Sequence, residues 1–421
     1  MDVIVSPSHI KGIIQAPASK SYTQRWLIGA LLAEGTSEIL TPGKSADEKN
    51  LAKAIESLGA KVTYEEEKWT VTGGFNARSK NIHVGESGLG VRLISAVSAL
   101  ADQPIEIEGT GSLNKRPMAQ IKEILPALGA DCKTNDGYLP LTVKGPLTGG
   151  KATVEGSFGS QFISGLLFAL PMAENDSEIV VKNLKSQPYI DITLDVLNHF
   201  GITVENENYQ KFRIPGKQKY QPGTFTVEGD WSNGAILLAA GAINGTLKVE
   251  NLNPHSAQGD SKILEALDKC GANVRYQENG YKIEATPNLK AFDLDATHTP
   301  DLFPPLAALA SYCSGVSRIK GVKRLIHKES NRAEALIREF GNVGVPVFVE
   351  DDDYLVIKGK QPTGGTFYSH NDHRIAMTGA LMALKATKPV RITHAEAVNK
   401  SYPDFFEDLE KLQAVVEYPK S

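Results

Sequence analysis

The sequence predicts an α/β chain of six similar units divided between two domains, one of them discontinuous. Three observations carry this. One element order recurs: an amphipathic helix, a glycine, a β-run, a tight turn and a second β-run. The glycines that close the helices, at 59, 129, 201, 271 and 344, recur every 70 to 73 residues, and a period that regular marks a repeat architecture. The two chain ends each hold part of a unit, so together they complete one.

Element by element, Ile55–Gly59 leads to Lys61–Tyr64 and Trp69–Thr72, and Leu125–Gly129 leads through Asn135-Asp136-Gly137 to Leu139–Val143. Val196–Gly201 leads to Ile202–Glu205 and Phe212–Pro215, and Leu264–Gly271 leads through Asn279-Gly280 to Tyr281–Ala285. Phe340–Gly344 leads to Val347–Glu350 and Tyr354–Lys358. Each glycine suits the left-handed position just past a helix end, and the Asn-Gly and Asp-Gly pairs suit hairpin turns. A sixth helix, Phe405–Leu412, has no full hairpin after it, whereas Val3–Ser6 and Gly12–Ala16 are strands with no helix before them. The expected domains are therefore 19–228, with three units, and 1–18 plus 229–421, with the other three.

Each unit also holds two helix starts. One series is Lys20-Ser21, Gly88, Ser160-Gln161, Ser232, Asp301 and His373-Arg374; the other is Ser45, Arg116, Ser186, Gln258, Lys328-Glu329 and Lys400. Ser45-Ala46-Asp47-Glu48 has the form of a capping box. Helix N-termini gathered on one cleft would offer N–H groups and partial positive charge to an anion.

Composition bounds the function. The 421 residues are 41% hydrophobic and 22% charged, with Lys and Arg numbering 45 against 49 Asp and Glu, enough chain for two sizeable cores. No basic excess points to nucleic acid, so anionic substrates would need their cations concentrated in one place. The three scattered cysteines, 132, 270 and 313, read as reduced core thiols of a cytoplasmic protein. No leader pattern or membrane-length apolar run is present.

The helix starts carry unusual chemistry. Lys20 and Arg25 bracket the first turn of their helix, the wrong end for cations unless an anion lies between them. Gly85-Glu86-Ser87-Gly88 is a glycine-rich turn into a helix, suited to close backbone approach by a phosphate or carboxylate. Arg116 offers a fork to the same groups. Asn371-Asp372-His373-Arg374 sets three ionisable groups directly before an apolar helix. Any one of these fits a solvated helix start, with Asp301 or Asn331 as a cap; about six such coincidences at equivalent positions of a repeat do not.

Taken in order, these motifs resemble those of the enolpyruvyl transferases, most closely the 5-enolpyruvylshikimate-3-phosphate synthase family, over essentially the whole chain. The matching segments are Ser19–Ser21 with Arg25, Arg116-Pro117, Ser160-Gln161, Ser186-Gln187-Pro188-Tyr189, Asp301, Lys328-Glu329-Ser330 with Arg332, Asp372-His373-Arg374 and Lys400-Ser401-Tyr402-Pro403. The resemblance implies two domains, each of three βαβαββ units about a pseudo-threefold axis (an inside-out α/β barrel), with the active site in the cleft between them. It implies transfer of the enolpyruvyl group of phosphoenolpyruvate to shikimate 3-phosphate, with phosphate released. It assigns Lys20, Ser21, Arg25, Ser160, Gln161, Ser186, Asp301 and Lys328 to shikimate 3-phosphate, and Lys20, Gly88, Arg116, Gln161, Arg332, Arg374 and Lys400 to phosphoenolpyruvate. Asp301 is the expected base and Glu329 the expected acid, with Lys20 helping phosphate leave. No metal or organic cofactor is expected, and the partners are two small molecules, not nucleic acid or membrane, acted on by a monomer.

The sequence departs from the family pattern at Ala18 (usually Gly), Glu86 and Arg324 (each usually Asn) and Gly159 (usually Ser). Two other readings fit parts of the pattern. A UDP-N-acetylglucosamine enolpyruvyl transferase would usually carry a reactive cysteine in the loop Gly109–Lys115 and Lys-Asn in place of Lys20-Ser21, and this chain has neither. A two-lobed, non-catalytic phospholigand-binding protein would need the cations but neither Asp301 nor Glu329.

Overall fold

The computed structural model describes residues 1–419. The chain forms two compact units, one of Met1–Pro17 with Glu228 onward, the other Ala18–Val227.

Twelve α-helices lie among the described residues: α1 Lys20–Leu32, α2 Ala46–Ser57, α3 Gly88–Ser98, α4 Ala119–Ile124, α5 Gln161–Ala169, α6 Pro188–His199, α7 Trp231–Asn244, α8 Ile263–Lys269, α9 Phe303–Ser311, α10 Arg332–Asn342, α11 His373–Ala383 and α12 Phe405–Lys411. Six four-stranded sheets accompany them, all of one topology. In the sheet of the second repeat, Asn81–His83 runs parallel to Ile105–Glu108, which pairs antiparallel with Tyr138–Lys144, which pairs antiparallel with Asp131–Asn135. With α3 and α4 in the connections this is one βαβαββ unit. The parallel pair needs a crossover helix, whereas the last two strands need only a hairpin.

Two sheets are completed by distant chain. Thr224–Thr226 joins Thr36–Leu40 in parallel and supplies the strand that the first repeat lacks. Val3–Ser6 pairs antiparallel with both Val390–Thr393 and Val415–Glu417. The N-terminal strand thus takes the place of the missing last hairpin strand. The next strand, Ile10–Gln15, pairs parallel with Gly245–Glu250 and opens the fourth repeat.

The helix-ending glycines at 59, 129, 201, 271 and 344 all have positive φ, between 75° and 114°, which a Cβ would disfavour. Two local expectations change. The strand expected at Ile202–Glu205 lies at Glu205–Glu207, because the Ile202 N–H closes α6 on the Leu197 carbonyl and the Thr203 N–H bonds Gln218 Oε1. In the fourth hairpin the left-handed pair is Glu278-Asn279, not Asn279-Gly280. Gly280 already belongs to the strand, where a Cβ would meet the Val249 carbonyl oxygen at 2.4 Å.

In each unit the first helix of every repeat is buried on nearly all sides and the second is amphipathic. Tyr22 to Leu32 of α1 and Trp231 to Ile243 of α7 are buried throughout. In α10, by contrast, Arg332, Ala333, Ala335, Leu336, Glu339 and Phe340 form one inner face. α7, α9 and α11 pack on one another, and apolar burial of this kind, at roughly 25 cal/mol per Å², is the main stabilising term. It also gathers the N-termini of the three helices.

Candidate active site

In the unit Ala18–Val227, Ser19 caps α1 and accepts from the Tyr22 N–H. Lys20 follows, its Nζ 3.1 Å from Asp47 Oδ2 in the first turn of α2. Arg25, one turn on, is fully buried. Its Nε donates to Thr193 Oγ1 (2.8 Å), Nη1 to the Ser21 carbonyl (2.9 Å), and Nη2 to Ser164 Oγ (3.3 Å) and the Tyr189 carbonyl (3.1 Å). Burial lowers this guanidinium to about 10. Arg25 therefore ties the starts of α1, α5 and α6 into one block. Ser21 lies at that junction through its carbonyl.

Gln24 links the same block to α3 by donating to Ser87 Oγ at 3.3 Å, and Ser87 caps α3 by accepting from the Gly90 N–H at 3.0 Å. A Cβ built on Gly88 would lie 2.3 Å from Arg116 Nη1. Glycine at 88 is thus what lets the guanidinium rest against the helix start. Arg92 fastens the same turn by donating to the carbonyls of Gly88 (2.7 Å) and Pro117 (3.4 Å). Glu86 Oε2 accepts from the backbone N–H (3.0 Å) and hydroxyl (3.1 Å) of Ser112. Ser160 is buried at the N-cap of α5, and Gln161 opens that helix half-buried. Ser186 is buried at φ 59°, a left-handed conformation that costs a non-glycine residue about 1–2 kcal/mol and that clusters at functional sites.

The other unit holds a denser cluster. Asp301 lies in the 3-10 turn before α9, with Lys328 Nζ 3.3 Å and Arg332 Nη1 2.8 Å from its Oδ1, and Arg374 Nη2 4.0 Å from its Oδ2. Burial would push the Asp301 carboxyl up, but Lys328, Arg332 and Arg374 hold it well below the usual carboxylate range. Burial likewise lowers Lys328, against the pull of Asp301.

Arg332 is the hub. Only 1% exposed, it donates through Nε to Asp372 Oδ2 (2.9 Å), and through Nη2 to Glu329 Oε2 (2.7 Å) and Asp372 Oδ1 (3.2 Å), besides its bond to Asp301. Burial opposes its charge, but Asp372, Glu329 and Asp301 outweigh this and raise it above the ordinary arginine range. One guanidinium thus carries both carboxyl groups expected as base and acid. Lys400 Nζ donates to the Asn371 carbonyl at 2.7 Å, next to Asp372.

Each unit therefore gathers its own share of the expected residues. Sequence reasoning missed the carboxylates behind the cations: Asp47 beneath Lys20, and Asp372, which takes two bonds from Arg332, one from Ser330 Oγ and one from the Arg374 N–H. It also missed Thr193 and Ser164, the neutral partners of Arg25. Asp372 had a visible signal in the run of polar residues before α11; Thr193 and Ser164 had none, being single hydroxyls inside apolar helices. Among the described residues no group of three or more His, Cys, Asp or Glu is placed to hold a metal ion, and no helix is long and apolar enough to cross a membrane.

The family model for EPSP synthase (3-phosphoshikimate 1-carboxyvinyltransferase) matches residues 4–409. The chain belongs to the EPSP synthase family. It is 36% identical to the 3-phosphoshikimate 1-carboxyvinyltransferase of Methanococcus vannielii over 99% of this chain and 100% of that one. It is 38% identical to that of Aeropyrum pernix over 99% and 97%. Among solved structures, EPSP synthase from Acinetobacter baumannii superposes with a TM-score of 0.82 at 24% identity, covering 99% of this chain and all of that one. The enolpyruvyl transferase NikO from Streptomyces tendae gives 0.81 at 18%, covering 100% and 99%. These two structures fix the fold as that of the EPSP synthase family, with its two inside-out barrels.

Proposed function

We propose that the protein transfers the enolpyruvyl group of phosphoenolpyruvate to the 5-hydroxyl of shikimate 3-phosphate, the step of aromatic amino acid biosynthesis named for its family. The observation that carries this reading is the shared guanidinium of Arg332, which holds two carboxylates, Asp301 and Glu329, among Lys328 and Arg374. A protein that only bound anions would not spend its cations on carboxylates of its own.

In the addition step Asp301 takes the proton of the 5-hydroxyl as its oxygen attacks C2 of phosphoenolpyruvate, and Glu329 gives a proton to the methylene carbon. The product is a tetrahedral adduct bearing a methyl group. In the elimination step the C2–O bond to phosphate breaks, the Glu329 carboxylate takes a proton back from the methyl carbon, and the vinyl group reforms. Lys20 supports the departing phosphate, which takes up the hydroxyl proton that Asp301 had accepted, so Asp301 ends as the carboxylate and Glu329 as the acid from which they began. Charge-assisted and bidentate bonds suit the phosphates and carboxylates of both substrates: Lys20, Ser21, Arg25, Ser160, Gln161, Ser186, Asp301 and Lys328 for shikimate 3-phosphate, and Lys20, Gly88, Arg116, Gln161, Arg332, Arg374 and Lys400 for phosphoenolpyruvate. With three cations holding its charge, Asp301 is a weak base. Anions that engage those cations loosen the hold, so binding itself raises the proton affinity of the base. On this reading the enzyme acts in the cytoplasm, where its three buried free thiols stay reduced, and as a monomer.

Phosphate release from purified protein tests the proposal. Release is expected only when shikimate 3-phosphate and phosphoenolpyruvate are both present; release with UDP-N-acetylglucosamine in place of shikimate 3-phosphate would refute it.

A further inference from the structure

One buried carboxyl group in the same cluster has no part in the chemistry above. Asp260 lies in the 3-10 turn before α8 and is 2% exposed. Its Oδ2 accepts a hydrogen bond from the hydroxyl of Ser232, in the first turn of α7. Its Oδ1 has no hydrogen-bond partner among the described residues. The neighbouring residue of α7, Asn233, accepts from Arg374 Nη1 at 3.4 Å, and Arg374 reaches on to Asp301. Arg374 is itself 2% exposed, and its Nε also has no hydrogen-bond partner among the described residues. A buried acceptor and a buried donor, each unsatisfied, therefore lie within electrostatic reach of each other at the start of α7. A buried donor or acceptor left without a partner is destabilising, so the two have reason to meet.

We propose that Asp260, held by Ser232, is a positioning residue for the transfer reaction: when ionised it draws Arg374 toward itself, weakens the cation clamp on Asp301 and makes Asp301 a stronger base. The inference rests on the enolpyruvyl-transfer reading and deepens it. The groups that face Asp260 are Asp301 from the turn before α9, Arg374 from α11, Asp230 at the N-cap of α7 and Ser232 in its first turn. Lys262 and Glu265, which flank it in its own segment, pair with each other in solvent. Burial first, and repulsion by Asp301 second, push the Asp260 carboxyl up to about 7. It loses its proton to solvent within the working range, unlike an ordinary aspartate. Hydroxyl donation from Ser232 favours the charged form and opposes that rise.

The test uses the full chain and its phosphate-release assay from pH 5.5 to 9. In wild type, kcat is expected to rise through an ionisation near pH 7. Asp260→Asn resembles the protonated carboxyl and should abolish that step. It should leave kcat flat and about tenfold lower than wild type above pH 8, a smaller loss than removing an acid or base outright, with both KM values within a few-fold. Ser232→Ala should keep the step but move it to higher pH, and this variant carries the test if Asp260→Asn does not fold. Thermal midpoints give a readout independent of activity. A carboxyl whose folded value is raised loses stability as pH rises through about 7, so the wild-type midpoint should fall there and that of Asp260→Asn should not. A wild-type enzyme that turns over while Asp260→Asn keeps the full pH step, or Ser232→Ala leaves it in place, overturns the inference alone. Absence of turnover in wild type refutes the enolpyruvyl-transfer reading and this inference with it.

Discussion

Replacing Arg332 by alanine removes the one cation shared by Asp301, Glu329 and Asp372. Turnover is a poor readout, because Arg332 is also an assigned ligand contact and its loss would end activity on either account. Stability separates the two roles. Breaking a buried ion pair by deleting one partner costs about 3–5 kcal/mol, chiefly because the other charge stays buried. Here three carboxylates are left, one of them on a residue with no exposed surface, Asp372. In a domain of this size each kcal/mol moves the midpoint by about 2–4 °C, so the unit containing Arg332 should melt roughly 6–20 °C lower at pH 7.

The pH dependence follows from the sign of the shift. In wild type Asp301 is held below its ordinary value, so its contribution is present above that value and lost as pH falls through the depressed one. In the variant Asp301 keeps Lys328 and Arg374 but loses one of the three cations that offset its burial, so its carboxyl moves up from its depressed value and takes up a proton more readily as pH falls. The deficit should therefore be smaller at pH 5 than at pH 7. Differential scanning calorimetry at pH 7 and 5 would measure it. A deficit under about 1 kcal/mol that does not change with pH would mean that Arg332 is no structural hub, and the argument from its shared guanidinium would fail.

Three further outcomes are expected. Asp301→Asn and Glu329→Gln should each lower kcat about 10²–10⁴-fold while shikimate 3-phosphate still binds by calorimetry; full turnover in either would remove that residue from the mechanism. Gly88→Ala places a methyl group 2.3 Å from Arg116 Nη1, so steady-state kinetics should show the KM for phosphoenolpyruvate rising about tenfold, near 1.4 kcal/mol, with that for shikimate 3-phosphate little changed. Glu48, 1% exposed and pushed up to about 7 by burial, holds its full stabilising share below its unfolded value of 4.5 and loses it as pH rises through 7. Glu48→Gln should therefore gain up to about 3 kcal/mol on wild type between pH 5 and 8, read from denaturation midpoints, and parallel curves would contradict the assignment.

The repeat was legible because each helix stop needs left-handed backbone, which leaves a glycine in the sequence wherever it occurs. The six sheets and the completion of the last by Val3–Ser6 follow from that count. The third hairpin was misplaced because Ile202–Val204 is apolar enough to resemble a strand, whereas its N–H groups serve the end of α6 and Gln218. The cations of the candidate site were legible because Lys20, Arg116, Lys328 and Arg374 stand where a helix start has no use for positive charge. Their buried counterparts were legible only in part. Asp47 sits in a first turn, where acidic residues are common, so it does not stand out until Lys20 is located beside it; Asp372 showed in its polar run, but its pairing with Arg332 did not.

The repeat also allows one position to be compared between the two units. Asp47 and Asp260 occupy the same place in the second helix segment of the first and fourth repeats, each facing the first turn of the preceding buried helix. In one unit that turn offers Lys20, and the carboxylate makes an ion pair at 3.1 Å with both side chains partly open to water. In the other it offers only the hydroxyl of Ser232, and the carboxyl is sealed from water. A hydroxyl cannot neutralise a buried charge, so the carboxyl must hold its proton or find a cation elsewhere, and the nearest candidate is Arg374, already committed to Asp301. A lysine at the Ser232 position would remove that conflict and stabilise the cluster. It would also fix the charge of Asp260 at every working pH and take away the means by which Arg374 can be shared. On this argument Ser232→Lys is the substitution that trades the neutral-range step in turnover for stability, and the two should move in opposite directions in the same protein.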